Sequence, residues 1–310
     1  MRDAFVKTLE GLFSIHKDAM LLSADLGFRL FDGIRNASPE RFCNTGIAEA
    51  NMIGVAAGMS LTGKNVYCYS IIPFLVMRAF EQIRIDIDYH NLNVKLIGSG
   101  GGFTYGFEGF THFAVEDLAI MRSLQNTAVV VPADSTEARS LAVASLEYPG
   151  PLYMRFGRTD EPVKDGVMAG FRIGRAVVLT EGSHIAIIAN GGMVHTAKQA
   201  SAMLKKRGIT TTVASFHTVK PLDAETLLQI ASSHKAVFTI EEHSINGGLG
   251  SAVIETLSDA GHRGIVKRFG IGRLSGVSGD YRFLRKHHGL DATGIFEGIM
   301  SALKEAELGI

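Results

Sequence analysis

The sequence predicts an α/β protein made of two doubly wound domains, each with a mainly parallel sheet. Short apolar runs alternate with amphipathic helical stretches along most of the chain, as in α/β folds. A polar stretch at residues 157–170 interrupts this alternation, and 310 residues are enough for two domains. We therefore expect one domain at residues 1–165 and a smaller one at residues 175–310.

The first half of the chain supports this prediction element by element. Phe5, Leu9 and Leu12 fall on one face of a helix predicted over residues 2–15. Further helices are predicted over residues 47–61, 74–87 and 115–124. The predicted strands are Ala19–Ser23, 66–71, 94–97, 128–131 and Leu152–Phe156.

The second half repeats the alternation after the polar stretch. Strands are predicted at Ile185–Ala189, Thr211–Ser215 and 236–240, and helices at 194–206, 224–232 and from Ser251 onward. In open α/β sheets, ligands bind at the carboxyl ends of the strands. Candidate functional residues are therefore those that directly follow the predicted strands.

Composition excludes several classes of protein. Hydrophobic residues make up 46% and charged residues 20% of the chain, so a mainly disordered chain is not expected. The 31 basic and 31 acidic residues cancel, which argues against nucleic-acid binding and against anionic membranes. The two cysteines give neither a disulfide framework nor zinc spacing, and no secretory signal or 18-residue apolar run occurs. We expect a cytoplasmic protein with no membrane span.

Glu49 is a candidate catalytic acid because it lies in the first turn of an apolar helix rich in small residues. A buried carboxyl that can hold or release a proton is typical of catalytic sites. The alternative is a carboxylate that only stabilises the helix N-terminus. For a lone glutamate, the alternative is favoured.

The loop at residues 98–112 is a second candidate, because its glycines let the backbone approach a ligand closely. It ends with Glu108, Thr111 and His112, which offer an acid, a hydroxyl and an imidazole for proton transfer. A flexible surface loop is the equally weighted alternative.

Other patterns are weaker. Phe74, Met77 and Phe80 recur at helical spacing, which on its own is typical of a helix core. Arg155 and Arg158 follow a strand and could bind a phosphate or carboxylate, although surface arginines are common there. A nucleophile elbow, a Walker loop and a clean dinucleotide-binding motif are all absent from the sequence, and no metal site is predicted in this chain.

Five motifs together resemble the transketolase family, in particular its C-terminal half. Gly46-Ile47-Ala48-Glu49-x-Asn51-Met52 is similar to the catalytic-glutamate helix, and Gly109-Phe110-Thr111-His112 is similar to a Gly-Pro-Thr-His loop. The others are Ser23-Ala24-Asp25-Leu26, Lys220-Pro221-Leu222-Asp223 and the segment from Glu241-Glu242-His243 to Gly247-Gly248-x-Gly250-Ser251. They occur in the family's order across most of the chain. The resemblance implies a pyrimidine-binding domain followed by a transketolase C-terminal domain.

The resemblance also implies thiamine diphosphate as cofactor. Glu49 would hydrogen-bond the pyrimidine N1′, and Phe74, with Phe80 beside it, would stack on the aminopyrimidine. Asp25 and Leu26 would lie near the cofactor. Phe74 follows Glu49 by 25 residues, a spacing similar to that in the family, which favours cofactor stacking over the helix-core interpretation.

For the substrate, the resemblance implies that His112 contacts hydroxyls and moves protons and that Glu108 reads a sugar hydroxyl. Arg158, together with Arg2 and Arg29, would face a substrate phosphate. Full-length transketolases carry a phosphate-contacting histidine twelve residues before the loop histidine, where this chain has Gly100; the hydrophobic Phe107 and Phe113 stand where polar residues are frequent. The donor and acceptor sugars, whether they are phosphorylated, and the pathway are therefore left open.

The family binds the diphosphate through a divalent ion, Mg²⁺ or Ca²⁺, held by a Gly-Asp-Gly motif on another domain. This chain contains no Gly-Asp-Gly. We therefore expect a separate N-terminal subunit to hold the metal ion, with the active site at the interface. The expected assembly is a heterotetramer with two copies of each chain, in which this chain also associates with itself, and the chain alone should be inactive.

Two rival functions remain. The beta subunit of a 2-oxo acid dehydrogenase, or a deoxyxylulose-phosphate-synthase-like enzyme, would use the same cofactor for a different reaction. A non-catalytic scaffold is the second rival. The Gly-x-Thr-His and Ser-Ala-Asp-Leu motifs favour ketol transfer between sugars, and the joint presence of Glu49, Phe74 and His112 argues against a scaffold.

Overall fold

The computed structural model describes residues 1–161 and 166–306, which form two α/β units with separate sheets of seven and five strands. The sheets are mainly parallel, so the predicted fold class is confirmed. The predicted end of the first domain, residue 165, lies outside the described residues.

Helices and strands alternate in the first unit. They are α1 (Arg2–Phe13), β1 (Ala19–Ser23), α2 (Asp32–Ala37), β2 (Phe42–Asn44), α3 (Glu49–Leu61), β3 (Asn65–Ile71), α4 (Phe80–Gln82), β4 (Val94–Ser99), α5 (Asp117–Arg122), β5 (Ala128–Val130), α6 (Ser135–Glu147) and β6 (Leu152–Phe156). A 3₁₀ turn, Pro39–Arg41, precedes β2, and π-helical turns Pro73–Met77 and Ile83–Asp88 flank α4.

The second unit continues the alternation. Its elements are β7 (Val177–Thr180), β8 (Ile185–Ala189), α7 (Met193–Lys205), β9 (Thr211–Ser215), β10 (Thr218–Lys220), α8 (Ala224–Ser233), β11 (Ala236–Ser244), α9 (Leu249–Asp259), β12 (Ile265–Ile271), α10 (Tyr281–His287) and α11 (Ala292–Glu305).

One strand from the second half of the chain belongs to the first sheet. The first sheet has the order β10-β5-β6-β4-β3-β1-β2, in which β10 from the second half of the chain pairs antiparallel with β5. The second has the order β12-β11-β8-β9-β7, with β7 antiparallel. The other pairs are parallel, so their carboxyl ends meet at one edge of each sheet.

Each sheet is covered by helices on both faces. In the first unit, one core cluster joins the sheet to α3, the π-helical segment and α5, and the other joins it to α1, α2 and α6. In the second unit, α7, α10 and α11 pack in one cluster, and α8 and α9 in another. Burial on both faces explains why the central strands are continuous apolar runs.

Four predicted strands, Ala19–Ser23, Leu152–Phe156, Ile185–Ala189 and Thr211–Ser215, have the predicted bounds. The continuous helix predicted over residues 74–87 is wrong, because π-helical turns interrupt the segment on both sides of α4. A π turn shifts the side chains relative to a regular helix, and such turns are frequent at functional sites.

Candidate active site

The candidate residues of the first unit follow strands whose carboxyl ends share one edge of the sheet. Asp25 follows β1, Phe74 follows β3, the loop at residues 98–112 begins at the end of β4, and Arg158 follows β6. These strands are neighbours, in the order β6-β4-β3-β1. The topology therefore gathers segments that are up to 133 residues apart in the sequence, from Asp25 to Arg158.

Glu49 begins helix α3, and its carboxylate is buried, with 1% exposure. Ser70 donates a hydrogen bond to Oε1 at 3.1 Å, and Arg78 donates one to Oε2 at 2.9 Å. The carboxylate therefore faces the π-helical segment across the end of β3 and does not simply cap its own helix. This geometry favours the interpretation of Glu49 as a functional acid.

Arg78 and His112 both pack on Phe74, so the glutamate and the loop meet at one aromatic ring. The Arg78 guanidinium lies 4.6 Å from the centroid of the Phe74 ring, and the His112 ring lies edge-on at 5.2 Å. Thr111 Oγ1 is 3.0 Å from His112 Nδ1. Arg78 and the Phe74 ring therefore connect an acid, Glu49, with an imidazole, His112.

Phe80 does not share this position. Its side chain is half-buried and packs against the core cluster of the first unit. The π-helical turn before α4 separates it from Phe74. Its predicted contact with a cofactor stays a prediction.

Tyr105 occupies the space beside Gly100 in the loop. Gly100 has a φ of +98°, and a Cβ there would lie 2.4 Å from the Tyr105 ring. The Tyr105 hydroxyl is 3.2 Å from Ser99 Oγ, and its ring lies edge-on to His112 at 6.3 Å. The left-handed backbone at position 100 and the Tyr105 ring beside it both oppose a histidine at this position.

The remaining loop residues differ in exposure. Glu108 and Phe107 are exposed, so both are free to contact a substrate or another chain. Phe113 is buried against Phe103, with ring centroids 5.1 Å apart, and belongs to the core of the second unit. The apolar residue at position 113 therefore has a packing role.

Asp25 is tied to the segment that leads into Glu49. Its backbone is left-handed, with φ 53°, and its carboxylate accepts a hydrogen bond from the Asn44 amide at 2.8 Å. Asn44 Oδ1 accepts from the backbone N–H groups of Asp25 and Gly46, both at 3.0 Å. Asp25 and Leu26 line a cavity of about 270 Å³.

Arg2 and Arg158 line a common cavity of about 330 Å³ with Ser99 and Tyr105. Arg2 also lines a neighbouring cavity of about 430 Å³, which contains Arg29. The three predicted anion-binding arginines are thus distributed over two cavities that share Arg2. The first of these adjoins His112 through Tyr105.

Arg155, which the sequence offered as a further anion ligand, is buried and fully engaged within the protein. It pairs with Asp117 at 2.8 Å and donates to the carbonyl oxygens of Ala114 and Glu242. Glu242 and His243 of the C-terminal motif also have structural partners. Glu242 pairs with Arg285, and His243 Nε2 accepts from the Leu118 N–H at the start of α5. These groups join the two units.

Arg78, Ser70 and Tyr105 were not singled out from the sequence. Arg78 follows Phe74 by four residues, a spacing that places two side chains on one face of a helix. This spacing is the sequence feature from which Arg78 could have been proposed as a neighbour of Phe74. The contacts of Ser70 and Tyr105 depend on strand ends and on the Gly100 backbone, which local sequence does not encode.

The chemistry of this donor set fits an aminopyrimidine ring, since a buried carboxylate can meet a ring nitrogen while Phe74 offers a stacking face. Within residues 1–161 and 166–306, no group of three or more His, Cys, Asp or Glu side chains could hold a metal ion. In the same ranges, no helix has the length and apolar character needed to cross a bilayer.

Comparison with known families identifies the domains that carry these motifs. The model of the transketolase pyrimidine-binding domain matches residues 1–163, more than half of the chain, and that of the transketolase C-terminal domain matches residues 174–295. The chain belongs to the transketolase family. The predicted resemblance is confirmed.

Transketolase subunits are similar to this chain over nearly its whole length. An apulose-4-phosphate transketolase subunit of Phocaeicola vulgatus is 34% identical over 98% of this chain and 97% of that protein. The 6-deoxy-6-sulfo-D-fructose transketolase subunit SqwH of Clostridium sp. strain MSTE9 is 36% identical over 95% of this chain and 92% of that protein. A solved structure described as a split gene transketolase, inactive beta4 tetramer, has a TM-score of 0.88 at 38% identity and covers 98% of this chain.

Proposed function

We propose that this chain is the C-terminal subunit of a split transketolase that transfers a two-carbon ketol unit from a ketose donor to an aldose acceptor. The observation that carries the proposal is the buried Glu49 carboxylate, connected through Arg78 to the Phe74 ring, with His112 edge-on to the same ring. Similarity to transketolase subunits over nearly the full chain supports it.

When bound, thiamine diphosphate would supply a nucleophilic thiazolium carbon able to hold the two-carbon fragment. Glu49 would hold a proton at the pyrimidine N1′, and Phe74 would orient the ring by stacking, while Asp25, Leu26 and Phe80 would border it. For Glu49 to reach N1′, Arg78 must share or release the carboxylate oxygen that it now contacts.

The substrate would lie between the cofactor and the cavity of the two arginines. His112 would hold and move a proton at a sugar hydroxyl, and the exposed Glu108 would accept a hydrogen bond from another. Arg158 and Arg2 would bind an anionic end of the sugar, with Arg29 at the neighbouring cavity.

A separate N-terminal subunit would hold the diphosphate through Mg²⁺ or Ca²⁺, since a doubly charged ion neutralises a diphosphate. Similarity to proteins that are themselves named as transketolase subunits supports an enzyme made of two different chains. The proposed assembly contains two copies of each chain.

The test is a ketol-transfer assay with the chain, the N-terminal subunit and the mixture of both, in the presence of thiamine diphosphate and Mg²⁺. We expect activity only in the mixture. Glu49→Gln should lower kcat about a thousandfold, the range of general acid–base effects. Glu40→Gln, the same change at an exposed glutamate, is the control.

Two results would overturn the proposal. One is full turnover by the chain alone; the other is a mixture in which Glu49→Gln and Glu40→Gln behave alike. Carbon dioxide release from pyruvate without ketol transfer would assign the rival 2-oxo acid dehydrogenase reaction.

A further inference from the structure

Helix α10 of the second unit and the residues that flank it contact two loops of the first unit that border the candidate active site. One is the segment that follows β6, with Arg158 and Asp160; the other is the loop at residues 98–112. These contacts are not needed to complete either sheet. They place residues of the second unit next to the loops that would contact a substrate.

Asp160 is held by two consecutive residues of α10. The Tyr281 hydroxyl donates to Asp160 Oδ1 at 2.6 Å, and Arg282 donates to the same oxygen through Nε at 3.0 Å and through a terminal nitrogen at 2.5 Å. Partial burial alone would raise the pKa of Asp160, but these hydrogen bonds hold that pKa below its ordinary value. The carboxylate is therefore ionised when it forms the clamp.

Arg158 is fixed at both its main chain and its side chain. Its carbonyl oxygen accepts a hydrogen bond from Arg285 at 2.9 Å, and its guanidinium lies 5.5 Å from the centroid of the Tyr281 ring. Arg285 is itself paired with Glu242. The second unit thus contributes the ring on which Arg158 lies and the donor that holds its backbone.

The charged side chains near Arg158 are paired with other residues. Asp3 and Glu161, which also line its cavity, pair with Arg2 and Lys198. Arg282 is neutralised by Asp160, and Arg285 by Glu242. Across residues 1–161 and 166–306, the Arg158 guanidinium forms no ion pair, and it lines the cavity of about 330 Å³ shared with Arg2. An unpaired guanidinium at a cavity wall is suited to bind an anion.

The same segment of the second unit also supports the other loop. The Gly279 N–H, just before α10, donates to the Gly106 carbonyl at 3.0 Å, and a Cβ at Gly106 would lie 2.2 Å from the Gly279 carbonyl oxygen. The His288 ring, just after α10, stacks on Phe103 at 5.2 Å. Both loops are therefore held by one short stretch of chain.

We infer that Tyr281 and Arg282 are positioning residues, which hold Arg158 in place for the anionic end of the sugar substrate. This inference rests on the proposed function and assigns the second unit a part in substrate selection. A long exposed side chain loses conformational entropy when it binds an anion, and prior ordering of its loop reduces that loss. Removing the clamp should weaken binding of substrates with a terminal phosphate and spare neutral ones.

The experiment compares ribose 5-phosphate with ribose as acceptor, with one donor and the complete two-chain enzyme. We expect Arg282→Ala to lower kcat/KM for ribose 5-phosphate about tenfold through KM, with the value for ribose unchanged. Tyr281→Phe removes only the hydroxyl and should act in the same direction. Lys286→Ala, which removes one exposed charge from the same helix, is the control and should affect neither substrate.

A double variant separates positioning from a general change of charge. In an Arg158→Ala background, Arg282→Ala should cause no further loss. The inference is overturned if Arg282→Ala lowers activity equally with both acceptors, if Lys286→Ala matches it, or if its effect persists without Arg158.

Hydrogen exchange of the full chain gives a readout that needs no activity. Residues 157–160 should exchange faster in Arg282→Ala and Tyr281→Phe than in the wild type, and at the wild-type rate in Lys286→Ala. Unchanged exchange in the first two variants contradicts the clamp itself. If exchange changes as expected but the wild-type mixture transfers no ketol unit, the proposed function fails while the clamp stands.

Discussion

Arg78 shows how one side chain can prepare a site for its ligand. It is half exposed, yet it neutralises the buried Glu49 carboxylate and covers the Phe74 ring. A buried carboxylate without such a partner would be costly. Arg78 therefore stabilises, in the chain without cofactor, the same two groups that we propose to receive the aminopyrimidine.

His217 is a residue at which acid should destabilise the protein. It is fully buried beneath Phe171, and burial lowers its pKa from 6.5 to about 4. Because the unfolded chain binds this proton more readily, stability is lost as the pH falls from 6.5 towards 4. For these two pKa values the loss between pH 7 and pH 5 is about 2 kcal/mol.

Urea unfolding of the wild type and of His217→Asn at pH 7 and pH 5 measures this loss. The asparagine does not titrate, so the free energy of unfolding should fall by about 2 kcal/mol less in the variant over this interval. Other titrating groups, such as the buried Glu137, are common to both proteins and cancel in the difference. Equal pH dependence of the two proteins would contradict the assignment.

At the scale of elements, a buried ion pair joins strand β6 to helix α5. Asp117 is fully buried and accepts from Arg155 at 2.8 Å and from the Tyr153 hydroxyl at 2.7 Å. Asp117→Asn leaves the buried guanidinium without its counter-ion, and we expect the free energy of unfolding to fall by about 3 kcal/mol. Chemical denaturation at neutral pH measures the change.

Asp32→Asn is the matched control for this substitution. Asp32 also pairs with an arginine, Arg35, at 3.0 Å, but both side chains are about half exposed. Exposed pairs contribute little, so the control should change stability by less than about 1 kcal/mol. If the two variants lose equal stability, the buried pair is not what fixes α5 to the sheet.

The elements also show how far local sequence predicts this fold. Central strands such as β1 and β8 are apolar runs bounded by polar residues, and their bounds were predicted correctly. Strand β10 has three residues and pairs with β5, about 90 residues earlier, so neither periodicity nor proximity indicates it. Helical periodicity does not distinguish the π-helical turns from a regular α-helix, because their apolar residues still recur every three or four positions.

The same limit applies to the site. Glu49, Phe74 and His112 could be proposed because short motifs surround them, and the structure brings them together. The clamp of Asp160 by α10 joins residues about 120 positions apart, and no motif marks either end. Contacts between the two units depend on how their sheets pack against each other. Hydrophobic periodicity and motif spacing in the sequence do not specify this packing.

For the whole molecule, apolar side chains exposed beside the site indicate where the proposed N-terminal subunit would dock. Ile47 is 77% exposed two residues before Glu49, and Phe28 is 76% exposed shortly after Asp25. The Asn44 side chain links the two segments that carry these residues, because it accepts from the N–H groups of Asp25 and Gly46. Exposed apolar surface at a functional edge is typical of protein interfaces. A partner placed there would cover the mouth of the site.

Ile47→Glu should therefore weaken the affinity of this chain for the N-terminal subunit at least about tenfold, because it places a charge in an apolar contact. Leu61→Glu is the matched control, since Leu61 is 72% exposed at the C-terminal end of α3, whereas Ile47 lies just before the helix begins. Calorimetric titration of one chain with the other, with and without thiamine diphosphate and Mg²⁺, gives the affinity between the chains for each variant.

A cofactor that both chains hold must strengthen their association by the same factor by which their association strengthens cofactor binding. When the partner is subsaturating, Ile47→Glu should therefore also lower the apparent affinity for thiamine diphosphate. Two results would place the site away from the interface: Leu61→Glu weakening the affinity between the chains as much as Ile47→Glu, or an affinity between the chains that does not change with the cofactor.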